Sequence, residues 1–199
     1  MVLPEPDSPT MPIVSPGATE KLIPRTASTP ALGRDDDGEI GHLEQRARTG
    51  GHRFHPLQSM CEMWARQFEA AYQTAPPGQR IDPGLARDGI AVFRSLSATA
   101  DRAVLLATDL HPDNILAARR EPWLVIDPKP YVGDPAYDPV QYMLNFPGRL
   151  AADPAGFATR VAGLLDLDPQ RLRQWLFARC VQESVNDPYL RIPAIQLAP

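Results

Sequence analysis

Residues 107–138 read ATDLHPDNILAARREPWLVIDPKPYVGDPAYD, and short apolar runs alternate with polar clusters in and just before this stretch. Three of the runs, at residues 104–107, 115–118 and 123–126, predict short β-strands. The polar sequence at residues 119–122 predicts a hairpin turn between the last two strands. The stretch therefore predicts a small β-ribbon that carries several acidic and amide side chains.

The spacing of the polar residues in this ribbon indicates a type of chemistry. Asp109 precedes Asn114 by five positions, and Asp127 follows the apolar strand that ends at Ile126. Phosphoryl transfer needs one carboxylate to orient the attacking hydroxyl and accept its proton, and oxygen ligands that hold Mg²⁺ on the nucleotide phosphates. The carboxylate and the oxygen ligands are present here in the order of a D-x-x-x-x-N sequence, a short hairpin and a further Asp. Asp109 alone would be interpreted as a turn residue. The prediction of phosphoryl transfer therefore depends on Asp109, Asn114 and Asp127 occurring together.

Composition limits the remaining classes of protein. The chain has 199 residues, 43% of them hydrophobic and 22% charged, which suits one globular domain with a tail. A net charge of −4 gives no reason to expect nucleic acid or a membrane surface as partner. Cys61 and Cys180 are too far apart in sequence to form a metal-ligand cluster, and reduced thiols are expected. We find no secretory signal or membrane-spanning run, so a cytoplasmic protein is expected. We also expect it to be a monomer.

Proline makes up 23 of the 199 residues and divides the chain. Residues 1–52 contain scattered prolines without apolar periodicity, and each proline removes a backbone donor and fixes φ. We therefore expect a proline-rich tail that is extended or disordered, with a proline-rich ligand for a partner domain as the alternative. Gly33 and Gly38 have the spacing of a phosphate-binding loop, but the three aspartates between them would repel phosphate.

Beyond the tail the pattern becomes helical. Apolar residues recur at three- and four-residue spacing from Leu57, which predicts a helix of about 16 residues starting near Pro56. Three further helices are predicted to start at Asp-Pro pairs, because Asp caps free N–H groups and proline fits the first turn. The residues expected on the apolar faces are Leu57, Met60, Trp64, Phe68 and Ala71; Leu85, Gly89, Val92, Phe93 and Leu96 after Asp82-Pro83; Phe157, Val161 and Leu164 after Asp153-Pro154; and Leu172, Trp175 and Leu176 after Asp168-Pro169.

Three segments resemble the aminoglycoside/hydroxyurea antibiotic resistance kinase family, whose members include streptomycin 6-kinases. They are TDLHPDNIL, REPWLVIDPKPYVGDPAYDP and the helix that contains LFARCVQES. The resemblance runs from about residue 53 to residue 184. It implies an α+β fold: residues 53–199 would be the mainly helical C-terminal lobe of a protein-kinase-like fold with a small β-ribbon. The N-terminal lobe of the family has no recognisable counterpart in residues 1–52.

The resemblance also implies roles for individual residues. Asp109 resembles the catalytic base, and Asn114 and Asp127 resemble the Mg²⁺ ligands that bridge the nucleotide phosphates. Asp138 resembles an aspartate that accepts hydrogen bonds from catalytic-loop amides, although its position also suits a helix N-cap. His111 is expected to support the loop, with substrate contact as the alternative.

Three further charged residues near this site allow more than one interpretation. Lys129 either neutralises phosphate charge in the nucleotide site or is a solvated lysine at a strand end. Glu183 and Asp187 either face a cationic substrate or belong to a solvated helix end, which is the favoured interpretation. Asp113 is expected to face solvent.

The resulting functional prediction is an ATP- and Mg²⁺-dependent phosphotransferase. Its acceptor would be an alcohol group of a small-molecule antibiotic such as streptomycin or hydroxyurea, and low activity is expected from this chain alone. The alternative is a non-catalytic remnant that binds a substrate or a partner without turnover. Protein kinase activity is not expected, because no activation segment follows Asp127.

Overall fold

The computed structural model describes residues 54–117, 119 and 123–199. The proline-rich tail and most of the predicted turn at residues 119–122 lie outside the described residues. The α-helices are α1 (Leu57–Thr74), α2 (Pro83–Ala98), α3 (Tyr137–Met143), α4 (Pro147–Ala152), α5 (Pro154–Leu165), α6 (Pro169–Glu183) and α7 (Arg191–Leu197). The strands are β1 (His55–Pro56), β2 (Val104–Leu106), β3 (Ile115–Ala117), β4 (Trp123–Val125) and β5 (Tyr131–Gly133), and short 3₁₀ helices cover Pro77–Gln79, Pro112–Asn114 and Pro188–Leu190.

The three predicted Asp-Pro helix starts are confirmed. At the start of α2, Asp82 accepts hydrogen bonds from the Gly84 and Leu85 amides at 2.8 and 3.0 Å. Asp153 accepts one from the Gly156 amide at the start of α5, and Asp168 accepts one from the Gln170 amide at the start of α6. Each Asp side chain accepts a hydrogen bond from an amide N–H that has no partner within its helix. Each proline lies in the first turn, where a backbone N–H is not needed for a helical hydrogen bond.

Helix α6 lies at the centre of the core, where it packs against α2, α5, α7 and α3. Its Leu172, Trp175 and Leu176 side chains are fully buried, as predicted. The crossing with α2 is close: a Cβ atom on Gly89 would lie 2.6 Å from the side chain of Val181. Glycine at this position allows the two helix backbones to approach.

One predicted core residue is wrong. Leu164 on α5 is 37% exposed, whereas Val161 and Leu165 on the same helix are buried. The buried stripe of α5 centres on those two residues, and Leu164 lies at its margin. Sequence spacing locates such a stripe but does not give its width, because the width depends on which helices pack against it.

The strands form two small sheets. In the first, β5 lies between β1, to which it is parallel, and β2, to which it is antiparallel. The second is the β3–β4 hairpin, in which Leu116 pairs with Leu124. All three predicted strands are confirmed to within one residue, and the chain has the mainly helical α+β architecture with small sheets that the sequence predicts. Among the described residues, no helix has the length and apolar character needed to cross a membrane.

Candidate functional site

The polar residues of the opening motif come together where β2 ends and the chain turns toward the 3₁₀ helix at Pro112–Asn114. The carboxylate of Asp138, in the first turn of α3, accepts hydrogen bonds from the Ala107 and Thr108 amides at 2.8 and 2.9 Å. Ala136 precedes α3 and Asp138 lies inside it, so the alternative of Asp138 as an N-cap is wrong. Its side chain holds the loop that leads to Asp109.

Thr108 has an unusual backbone conformation, with φ of 53°. A β-branched residue rarely adopts this left-handed conformation, so the surrounding contacts must maintain it. Its amide is bonded to Asp138 and its hydroxyl donates to the carbonyl oxygen of Lys129. The Lys129 amide in turn donates to the Ala107 carbonyl at 2.9 Å. The segment around Lys129 is therefore fixed alongside the Asp109 loop.

Asp109 and Lys129 form a direct ion pair. Lys129 Nζ lies 2.5 Å from Asp109 Oδ2. The hydrogen bond to Asp109 raises the pKa of the Lys129 ammonium, with a smaller contribution from the nearby charge of Asp127. The Lys129 side chain is 66% exposed and that of Asp109 is 26% exposed, so both groups are accessible from solvent. Lys129 is therefore largely solvated and also paired with Asp109.

Asn114 connects Asp109 to the strand that precedes Asp127. Its side-chain Nδ2 donates to the Asp109 carbonyl oxygen at 3.0 Å. Its own carbonyl oxygen accepts a hydrogen bond from the Ile126 amide at 2.9 Å. The residue is 7% exposed, and the bond through Nδ2 leaves its Oδ1 oxygen available as a ligand. Asp127, immediately after Ile126, is exposed and has φ of 48°.

The oxygen donors of Asn114 and Asp127 fit a magnesium ion better than a transition metal. Mg²⁺ prefers oxygen ligands and is commonly held by one or two protein groups together with substrate phosphates. Among the described residues there is no group of three or more His, Cys, Asp or Glu side chains that could hold a metal by themselves. Two protein oxygen donors of this kind suit Mg²⁺ that keeps further oxygen ligands of its own.

Burial changes the acidity of Asp138. Desolvation raises the pKa of this carboxyl to about 6, and the hydrogen bonds from the Ala107 and Thr108 amides only partly oppose the rise. The charge of the group that holds the Asp109 loop therefore changes between mildly acidic and neutral pH.

His111 lies directly before the 3₁₀ helix at Pro112–Asn114. Its carbonyl oxygen accepts the Asn114 amide at 2.9 Å. Its imidazole Nδ1 lies 3.8 Å from an oxygen of Asp113, whose side chain is 97% exposed, as predicted from the sequence.

The other two acidic candidates lie at the end of α6 and beyond it. Glu183 accepts a hydrogen bond from Arg179 at 3.1 Å, and Asp187 is exposed. The carboxylate of Glu183 is therefore bound to an arginine of its own helix.

Sequence reasoning gave no role to Asp134, which is 2% exposed. Its carboxylate accepts hydrogen bonds from Arg171 Nε at 2.5 Å and from Trp175 Nε1 at 2.6 Å, both on α6. The sequence gives only a weak signal, an aspartate before a proline. Its partners lie about forty positions further along the chain, and sequence spacing does not relate them.

Comparison with known proteins identifies the family of the chain. The sequence profile of the aminoglycoside/hydroxyurea antibiotic resistance kinase family matches residues 44–187. The chain belongs to this family. It is similar to a hydroxyurea phosphotransferase of Kitasatospora aureofaciens, with 37% identity over 134 residues, which are 65% of this chain and 37% of the relative.

Two streptomycin 6-kinases are also similar. The protein from Streptomyces griseus is 39% identical over 105 residues and the one from Streptomyces glaucescens is 35% identical over 103 residues. Each of these matches covers 49% of this chain and 33% of the relative. The chain thus spans about a third of the length of the curated relatives that it matches. No solved structure shows significant similarity to it.

Proposed function

We propose that this chain provides the acceptor-activating and metal-binding part of an ATP-dependent phosphotransferase that acts on an alcohol group of a small-molecule antibiotic. The observation that carries the proposal is the cluster of Asp109, Asn114 and Asp127. Asn114 donates a hydrogen bond to the backbone carbonyl of Asp109, and the amide of Ile126, the residue before Asp127, donates one to the carbonyl of Asn114. Family membership supports the same chemistry.

Asp109 would orient the acceptor hydroxyl and accept its proton. Its carboxylate is partly exposed, which a group that meets a diffusing substrate requires. The Asp138 clamp on the Ala107 and Thr108 amides fixes the backbone that carries it. Such a fixed loop contributes to catalysis through positioning, because a misplaced base or acceptor loses much of the advantage of proximity.

Asn114 and Asp127 would hold Mg²⁺ through their side-chain oxygens. When bound, Mg·ATP supplies the phosphoryl group, and the metal neutralises charge on the phosphate oxygens. Lys129 would add a second positive charge beside the same phosphates, since its ammonium group is exposed and stands next to Asp109. In the absence of nucleotide, the pair with Asp109 keeps this ammonium at the site.

Residues 53–199 would then be the C-terminal lobe of a protein-kinase-like fold. Hydroxyurea phosphotransferase and the streptomycin 6-kinases suggest the acceptor class, a small molecule with a hydroxyl group. Since this chain spans about a third of those relatives, we expect the N-terminal part of such a protein to be needed for efficient transfer.

Metal and nucleotide binding by the chain itself tests the proposal. Titration calorimetry with MnATP should show weak binding to the wild type, which Asp127→Asn should weaken at least about tenfold. Asp113→Asn is the matched control, because it removes an exposed carboxylate in the same region, and it should bind as the wild type does. Equal heats from all three proteins would contradict the assignment of Asp127 as a metal ligand.

A further inference from the structure

Helix α6 presents two buried polar side chains toward α3, one turn apart. Trp175 is fully buried and Arg179 is 2% exposed. A charged guanidinium in a protein core is costly unless hydrogen bonds and nearby polar or aromatic groups stabilise it. The partners of Arg179 therefore indicate what this residue does.

Trp175 fixes the start of α3. Its indole Nε1 donates to Asp134 Oδ2 at 2.6 Å. The other carboxylate oxygen of Asp134 accepts the Ala136 amide at 3.0 Å, and its backbone carbonyl accepts the Tyr137 amide at 3.1 Å. The chain thus enters α3 through a turn whose central aspartate is bonded to α6.

Arg179 fixes the next turn of α3. Its Nη2 donates to Gln141 Oε1 at 2.9 Å, and its guanidinium carbon lies 6.0 Å from the centre of the Tyr137 ring. The Tyr137 ring also packs edge-on against Trp175, with ring centres 5.3 Å apart. On α1, the Trp64 ring lies 4.6 Å from the same guanidinium carbon. Arg179 thereby connects α1, α3 and α6.

Asp138 lies between these two points of attachment. It follows Tyr137 directly and precedes Gln141 by three residues, so all three residues lie within about one turn of α3. Tyr137 and Gln141 both contact Arg179. The position of α3 sets the position of the Asp138 carboxylate, and that carboxylate holds the Ala107 and Thr108 amides. A path of direct contacts therefore leads from Arg179 through α3 to the loop of Asp109.

We propose that Arg179 is a positioning residue for the Asp109 loop and acts through Gln141 and Asp138. Its burial excludes direct contact with a substrate. The catalytic meaning of this link rests on the proposed function, but the link itself can be measured without turnover. Failure of the positioning role of Arg179 is therefore distinguishable from failure of the proposed phosphotransferase function.

Amide hydrogen exchange, followed by NMR on the full chain, tests the link. Gln141→Leu removes the acceptor that α3 provides for Arg179, at a partly exposed position, and leaves the acceptors Gln182 and Glu183 on α6 in place. The Ala107 and Thr108 amides should then exchange at least tenfold faster. Gln141→Glu keeps an oxygen acceptor and should restore slow exchange. The Leu176 amide in α6 should be unaffected, which separates a local effect from general destabilisation.

Asn145→Ala is the matched control. Asn145 Nδ2 donates to the backbone carbonyls of Gln141 and Tyr142 at the C-terminal end of α3, and its loss leaves the bond between the Gln141 side chain and Arg179 in place. This variant should leave the Ala107 and Thr108 exchange rates within about twofold of the wild type. Unchanged exchange in Gln141→Leu, or equal acceleration in Asn145→Ala, would overturn the proposal.

Discussion

Asp138 Oδ1 lies 2.9 Å from the amide nitrogen of Thr108, the residue directly before Asp109. The bond joins a buried carboxylate on α3 to a residue whose φ of 53° is unfavourable for a threonine. The candidate catalytic loop is therefore held by a group thirty positions away in sequence, and burial raises the pKa of that group to about 6.

This relationship predicts a pH-dependent contribution to stability. Burial raises the pKa of Asp138 to about 6 in the folded protein, compared with about 4 for an unfolded aspartate. The stabilising contribution of the neutral acid is therefore full below pH 4 and is lost as the pH rises through 6. From pH 4 to 7 we expect it to fall by about 2 kcal/mol.

Urea denaturation of the wild type and Asp138→Asn across this pH range measures the effect. The difference between their free energies of unfolding should decline between about pH 4 and 6, with a midpoint near pH 5, because asparagine does not ionise. The same comparison with Asp113→Asn, which alters an exposed carboxylate, should not show that midpoint. A pH-independent difference between the wild type and Asp138→Asn would show that Asp138 titrates normally.

Two glycines provide a test of the core packing. Gly89→Ala should destabilise the protein by about 1–3 kcal/mol, because the new Cβ would lie 2.6 Å from the Val181 side chain. Gly163→Ala on α5, where no neighbouring atom lies within 4 Å, should be neutral or stabilise by up to about 1 kcal/mol. Helix propensity alone predicts that both substitutions stabilise the protein. Thermal denaturation measures the two effects, and equal stabilisation by both substitutions would contradict the close α2–α6 contact.

Features set by neighbouring residues could be predicted from the sequence. The Asp-Pro caps of α2, α5 and α6 and the three short strands depend on residues within a few positions of each other. The spacing of Asp109, Asn114 and Asp127 could likewise be recognised, because one short hairpin brings these residues together.

The groups that support this site could not be predicted in the same way. The contact of Asp134 with Trp175 and that of Gln141 with Arg179 join residues about forty positions apart. They exist only after α3 has packed on α6, and a sequence pattern does not specify that packing. A buried arginine such as Arg179 also looks like any solvated helix residue until its neighbours are known.

The central claim is that Asp109 is the base of a phosphotransferase, and a turnover measurement tests it most directly. The chain is assayed alone and joined behind the N-terminal part of the Kitasatospora aureofaciens relative. Each protein is incubated with ATP, Mg²⁺ and either hydroxyurea or streptomycin, and phosphorylated product is measured by mass spectrometry. We expect product from the joined protein and little from the chain alone.

Asp109→Asn in the joined protein should lower kcat by about 10²–10⁴-fold, whereas Asp113→Asn should retain turnover. This result would show that the carboxylate of Asp109 is needed for transfer. Turnover that is unchanged in Asp109→Asn, or no product from the unsubstituted joined protein with either acceptor, would contradict the claim.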